Sequence, residues 1–125
     1  MAIKVLVVDD TDHVRRMVCE MLELDGFDVV GQAVSGADAV EKALSTEPDV
    51  IVMDFKMPEV DGITASKQIR EQRPTQPIVV YSAYLDDEVE ARAKDAGVAV
   101  CVAKVEGLNQ LERQLTELCR DLATS

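Results

Sequence analysis

Five short apolar runs, separated by helix-length amphipathic stretches, restrict this 125-residue chain to very few architectures. Residues 3–8 are rich in β-branched side chains, and residues 29–34, 50–53, 78–81 and 98–103 repeat the theme. Runs this short that are apolar throughout, without alternation, are typical of strands buried on both faces. Between them the period changes. Val14, Met17, Val18, Met21 and Leu22 recur at i, i+3, i+4, i+7 and i+8, which marks one face of a helix. Thr11 or Asp12 is placed to cap its start and Gly26 to stop it. Ala37, Val40, Ala43 and Leu44 predict a second helix, with Pro48 just beyond its end. Asp61-Gly62 opens a third, carrying Ile63, Ser66 and Ile69. Asp86-Asp87 opens a fourth that runs to about Ala96 and is stopped by Gly97. Leu108, Leu111, Leu115, Leu118 and Leu122 stripe a fifth. The fourth has only Val89, Ala93 and Ala96 as its apolar face, and so thin a face predicts a loosely held, movable element. Five β-α units in series predict a parallel sheet covered on both faces. Right-handed crossovers make it a doubly wound, three-layer α/β domain.

Length and composition set further bounds. A chain of 125 residues is one domain's worth, so residues 1–125 read as a single unit able to bury a core without staples. A formal net charge of −11 argues against direct binding to nucleic acid or to anionic membrane by this domain. No apolar stretch reaches the ~18–20 residues of a membrane span, and the first apolar run is too short for a signal peptide. A cytoplasmic location is the expectation. Cys19, Cys101 and Cys119 are scattered and odd in number, a pattern of reduced thiols rather than of disulfides or a zinc site.

Four of the runs end on polar groups: Asp9-Asp10, Asp54, Ser82 and Lys104. In an open α/β sheet, ligands bind beyond the carboxyl ends of the strands. If the first and third strands pair, Asp9, Asp10 and Asp54 lie side by side. Crowded carboxylates repel, and a hard divalent cation relieves that; Mg²⁺ favours a few carboxylates together with water and phosphate oxygens. Taken singly, each residue has a plainer explanation. An aspartate after a strand is a common turn or capping residue, and a lone lysine is usually a surface lysine. The combination at successive strand ends is what points to a metal ion and a phosphoryl group sharing one pocket.

Those residues, in Val-Val-Asp9-Asp10, Asp54-x-x-Met57-Pro58-x-x-Asp61-Gly62, Ser82-Ala83 and Lys104, carry a resemblance to the receiver domain of bacterial two-component response regulators over essentially the whole chain. The resemblance implies a flavodoxin-like fold with strand order 2-1-3-4-5. It also implies that Asp54 accepts a phosphoryl group from a sensor histidine kinase or phosphotransfer protein. Asp9, Asp10, Asp54 and the backbone carbonyl of Lys56 would hold Mg²⁺, with Asp10 the more direct ligand and Asp9 acting partly through water. Lys104 would pair with Asp54 or its phosphate, and Ser82 would bond a phosphoryl oxygen. The domain would not be an enzyme beyond its own phosphorylation and dephosphorylation. It would signal to a downstream protein or an output domain, standing alone or cut from a longer regulator. The fourth helix, fifth strand and fifth helix would form the surface read by the partner, or a homodimer contact. His13, the only histidine, reads as a solvated residue.

The chain departs from the family pattern at two places that concern switching. Cys101 stands where an aromatic usually lies, which leaves Tyr84 as a substitute mover or a plain loop aromatic. Val105 stands where proline usually follows the lysine. A cis bond before a non-proline residue costs ~2.5–4 kcal/mol, so Lys104–Val105 is expected to be trans. Lys56 either adds positive charge at the site or points to solvent. Two other classes fit some of these residues: a receiver that binds its partner without phosphorylation, and a small Mg²⁺-dependent phosphohydrolase with Asp54 as nucleophile. Against the second, Lys56 stands where such enzymes place another aspartate.

Overall fold

The structure, a computed structural model, describes residues 2–120. In chain order the elements are β1 (Lys4–Val8), α1 (Asp12–Leu24), β2 (Asp28–Ala33), α2 (Gly36–Thr46), β3 (Val50–Met53) and α3 (Gly62–Gln72). They continue with β4 (Ile78–Ser82), α4 (Asp87–Asp95), β5 (Val100–Ala103), a 3-10 turn (Lys104–Glu106) and α5 (Leu108–Leu118). All the strands are parallel, in the order β2-β1-β3-β4-β5, as the sequence and the resemblance led us to expect. Leu122, the last of the predicted leucine stripe, lies outside the described residues.

The missing alternation in the strands has a direct cause, because the sheet has a core on each face. Val5, Val7, Val50, Val52, Val79, Tyr81 and Val102 join Val18, Cys19 and Leu22 of α1 and Leu111 and Leu115 of α5 on one side. Leu6, Val8, Ile51, Met53, Ile78 and Val80 join Ala39 and Ala43 of α2 and Ala65 and Ile69 of α3 on the other. Successive strand residues point to opposite faces, and here both faces are dry.

Two helix faces differ from the predicted ones by about one residue. In α1 the buried positions are Arg15, Val18, Cys19 and Leu22, while Met17 is 49% exposed. The helix turns a long arginine inward because its polar tip finds acceptors beyond the core. In α2 the buried positions are Gly36, Ala39 and Ala43, with Ala37 and Leu44 outside. Small residues let this helix approach closely: a Cβ on Gly36 would come 3.1 Å from the Val60 side chain. In α5 the stripe holds at Leu111 and Leu115, but Leu118 is exposed and Cys119 is buried in its stead. The fifth strand begins at Val100, later than residue 98, and α4 buries only Ala93.

Capping follows the local chemistry. The carboxylates of Asp61 and Asp86 accept from the backbone N–H groups of Thr64 and Val89, each at 2.8 Å, which satisfies the first turns of α3 and α4. Thr11 is the N-cap of α1, and Gly26, with φ +90, follows its C-terminus.

Candidate functional site

The site grows out of the pairing of β1 with β3. Val8 lies opposite Met53, so Asp9 and Asp10 leave the sheet beside Asp54. The Asp54 N–H donates to the Val8 carbonyl at 3.0 Å and the Asp9 N–H to the Ala33 carbonyl at 3.1 Å. One carboxylate oxygen from each of Asp9, Asp10 and Asp54 falls within a 4.8 Å cluster. Asp9 and Asp54 are buried and Asp10 is exposed. Lys104 comes from the end of β5, two strands away from β3. Its Nζ stands 3.3 Å from Asp9 Oδ2 and 3.3 Å from Asp54 Oδ1. The described residues contain no cis peptide bond. Lys104–Val105 is therefore trans, and the lysine reaches both acids without a following proline.

The charges are strongly coupled. Burial raises the Asp54 carboxyl to about 6, and the neighbouring Asp9 charge pushes the same way; Lys104 offsets only part of this. Burial alone would favour a neutral Lys104, but Asp54 and Asp9 outweigh it and hold the ammonium above its ordinary value. The lysine thus stays charged, while the Asp54 carboxylate titrates high because burial, reinforced by the Asp9 charge, outweighs the Lys104 ammonium.

The surrounding chain fixes these groups in place. Asp9 Oδ1 accepts from the Thr11 N–H at 2.9 Å, so both Asp9 oxygens have partners while Asp10 faces solvent. Behind Asp54, α3 begins with Gly62, where a Cβ would sit 2.0 Å from the Asp54 carbonyl oxygen. No other residue fits at that distance, which is the physical content of the Asp61-Gly62 pair. The Gly62 N–H donates to the Phe55 carbonyl at 2.7 Å.

The remaining predicted residues divide into those that face the cluster and those that do not. Ser82 is buried at the end of β4, but its hydroxyl donates to the Tyr84 carbonyl at 3.0 Å and accepts from the Tyr84 N–H at 3.1 Å. It is engaged with its own loop. The Lys56 side chain is exposed, and its Nζ lies 4.8 Å from the centroid of the Tyr84 ring, a cation–π distance. Tyr84 is 65% exposed. Cys101 lies opposite Val80 and packs against the α2/α3 core; burial pushes its thiol up. His13 is exposed.

Three residues at the site escaped the sequence reading. Arg15 is buried and bonds the Asp9 carbonyl. Arg92 of α4 pairs with Asp61 at 3.0 Å and lies 5.8 Å from the Phe55 ring centroid, which ties α4 to the loop after Asp54. Tyr81 is buried on the α1/α5 side with the Lys104 ammonium 5.8 Å from its ring centroid. Nothing in the sequence marked Arg15, because the face it shares with Val18, Cys19 and Leu22 is set by a one-residue rotation of α1.

A parallel 2-1-3-4-5 sheet with carboxylates and a lysine gathered at its carboxyl edge defines a flavodoxin-like α/β domain with an acidic site. Residues 5–116 match the response regulator receiver domain, and the chain belongs to that family. It is 52% identical over 100 residues to a protein-glutamate methylesterase/protein-glutamine glutaminase of Pseudoalteromonas translucida, covering 78% of this chain and 25% of that protein. A protein of the same name from Alkalilimnicola ehrlichii is 42% identical, covering 94% of this chain and 32% of that one. The chain therefore spans about a quarter to a third of the curated relatives it matches. Among solved structures, the response regulator domain of Thermotoga maritima CheB is 32% identical with a TM-score of 0.84, covering 97% of this chain and 96% of that one. A LuxR-family response regulator from Aurantimonas shares the fold, with a TM-score of 0.93 at 24% identity, covering 97% of this chain and 87% of that one. The family match favours a receiver over the phosphohydrolase reading. No described helix is long and apolar enough to cross a membrane.

Proposed function

We propose that residues 1–125 form a phosphorylation-activated switch in which Asp54 accepts a phosphoryl group from a phosphohistidine on a sensor kinase or phosphotransfer protein. The observation that carries this is the convergence of Asp9, Asp10 and Asp54, with the Lys104 ammonium between Asp9 and Asp54. An Asp54 oxygen forms the bond to phosphorus as the bond from phosphorus to the donor nitrogen breaks, and the donor nitrogen keeps the electron pair. Lys104 balances charge on the transferring group and on the product. Such transfer is mostly positioning and electrostatics.

The donor set fits Mg²⁺, which favours a few carboxylates together with water and phosphate oxygens. Asp10, exposed, and Asp54 would be the direct carboxylate ligands, with the Lys56 carbonyl beside them. Asp9, whose oxygens already serve Thr11 and Lys104, would act partly through water. The bound ion supplies positive charge that offsets the phosphoryl oxygens. Ser82 would release Tyr84 and turn to a phosphoryl oxygen, and Tyr84, Lys56 and α4 would move with it. Cys101, a half-buried thiol packed against the core, would not take the part of a moving ring.

In this reading the domain works in the cytoplasm. It catalyses only its own phosphorylation and dephosphorylation, and it speaks to a downstream protein or an attached output domain through α4, β5 and α5. An attached output of the methylesterase type is favoured by the relatives named above. Incubation with acetyl phosphate and Mg²⁺ tests the proposal. Intact mass should rise by one phosphoryl group in the parent and stay unchanged in Asp54→Asn. An unmodified parent under saturating donor would overturn it.

A further inference from the structure

We propose that Arg15 is a positioning residue for the cation at Asp9 and Asp10. The inference rests on the Mg²⁺ site proposed above. Arg15 lies in the first turn of α1 and is 7% exposed. A buried guanidinium is costly unless its donors are met, and here each contact reaches a different part of the fold. Nη1 donates to the Asp9 carbonyl at 3.0 Å, Nε to Gln32 Oε1 at 3.0 Å, and Nη2 to Asp12 Oδ1 at 2.8 Å.

The Asp9 contact is the informative one. That carbonyl belongs to the peptide unit joining Asp9 to Asp10. Holding it fixes the plane between the two acids, and with it the directions in which both side chains leave. The Thr11 N–H on Asp9 Oδ1 fixes the Asp9 side chain independently. Gln32 lies opposite Val7 in the β1–β2 ladder, so the arginine is braced against the sheet rather than against a loop. Asp12 carries an opposing charge, its Oδ1 paired with Arg15 Nη2 at 2.8 Å. The guanidinium thus delivers one donor to the backbone carbonyl between the two acids with its charge matched by Asp12, and adds little repulsion toward a cation. A lysine could not brace the same points, because one ammonium lacks the planar fork.

Residues behind metal ligands typically change affinity by about 10–100-fold when lost. Arg15→Met has similar reach and no donors. Its Mg²⁺ Kd, measured by competition against Mn²⁺ in electron paramagnetic resonance, should rise about tenfold or more. Phosphorylation by acetyl phosphate should then need more Mg²⁺ for half-saturation but approach the parent rate at saturating Mg²⁺. That split separates positioning from a general loss of structure. Arg15→Lys should fall between the two. Gln32→Met and Asp12→Asn each keep the Asp9 bond and should shift the Kd less. A parent-like Kd in Arg15→Met overturns the proposal, and so does one in Arg15→Lys if the methionine variant does not fold. If neither Arg15 variant folds, the Asp12→Ala, Gln32→Met double variant decides, since it removes two of the guanidinium's three acceptors; an unchanged Kd there overturns the proposal. In all these cases the parent still binds Mg²⁺ and takes up phosphoryl. A parent that does neither overturns the receiver site itself.

Discussion

The centre of the sheet and its α4–β5 side are built differently. Every residue of β3 and β4 is buried, and α3 buries Gly62, Ile63, Ala65, Ser66 and Ile69. In contrast, β5 is mostly half-buried, and α4 rests on Ala93 with one ion pair, Arg92–Asp61, to hold it. The acids stand on the firm part. Lys104 and Ser82 stand on or next to the part that can shift. A site assembled in this way lets a change of charge at its centre be read as a displacement at its margin, because the margin has the least packing to lose.

The comparison can be broken most forcibly at Gly62. Gly62→Ala drives a Cβ into the Asp54 backbone and should cost about 3 kcal/mol or more by urea denaturation. A near-neutral result would mean that the floor under Asp54 is soft.

Next in size is the titration of Asp54. Its folded carboxyl is raised from 3.8 to about 6. Its stabilising contribution is therefore complete below pH ~4 and lost as pH rises through about 6, a loss of about 2–3 kcal/mol for the metal-free protein. Thermal melts across this window should show the decline in the parent and not in Asp54→Asn. The variant should also melt higher than the metal-free parent at pH 7. A lower melting point for the variant would remove the crowded-acid account.

A smaller effect comes from Mg²⁺ itself. At ten times Kd it should stabilise the parent by about 1.4 kcal/mol, and Asp54→Asn by less. Smallest for global stability is Arg92→Met, at under about 1 kcal/mol because the ion pair is partly exposed. Hydrogen exchange in α4 should nonetheless speed up while α1 and α3 stay protected. A uniform change across all three helices would erase the contrast between centre and margin.

Much of this was legible in the chain because strands and helices that bury apolar faces leave periodic marks. Strand ends, and hence Asp9, Asp10, Asp54 and Lys104, follow from those marks; the convergence of the acids required only the β1–β3 pairing, and that of Lys104 the placing of β4 and β5 beside β3. Arg15 was not legible, since a charged residue beside Arg16 reads as part of a solvated face until its acceptors are located in space. The one-residue rotation of α1 hid it further by casting Met17 as core. Ser82 was found as a strand-end hydroxyl, but its engagement with Tyr84 depends on a loop path that no periodicity encodes. The thin face of α4 was legible; its tether through Arg92 to Asp61 was not, because the two lie 31 residues apart.

Lys104 also acts as a chord. It begins at the outermost strand on its side, passes over the end of β4, and closes on acids carried by β3 and β1. Fraying of that edge withdraws the ammonium and leaves the two acids facing each other without it. A copy of the protein with a damaged margin is for that reason also a copy with a disarmed centre.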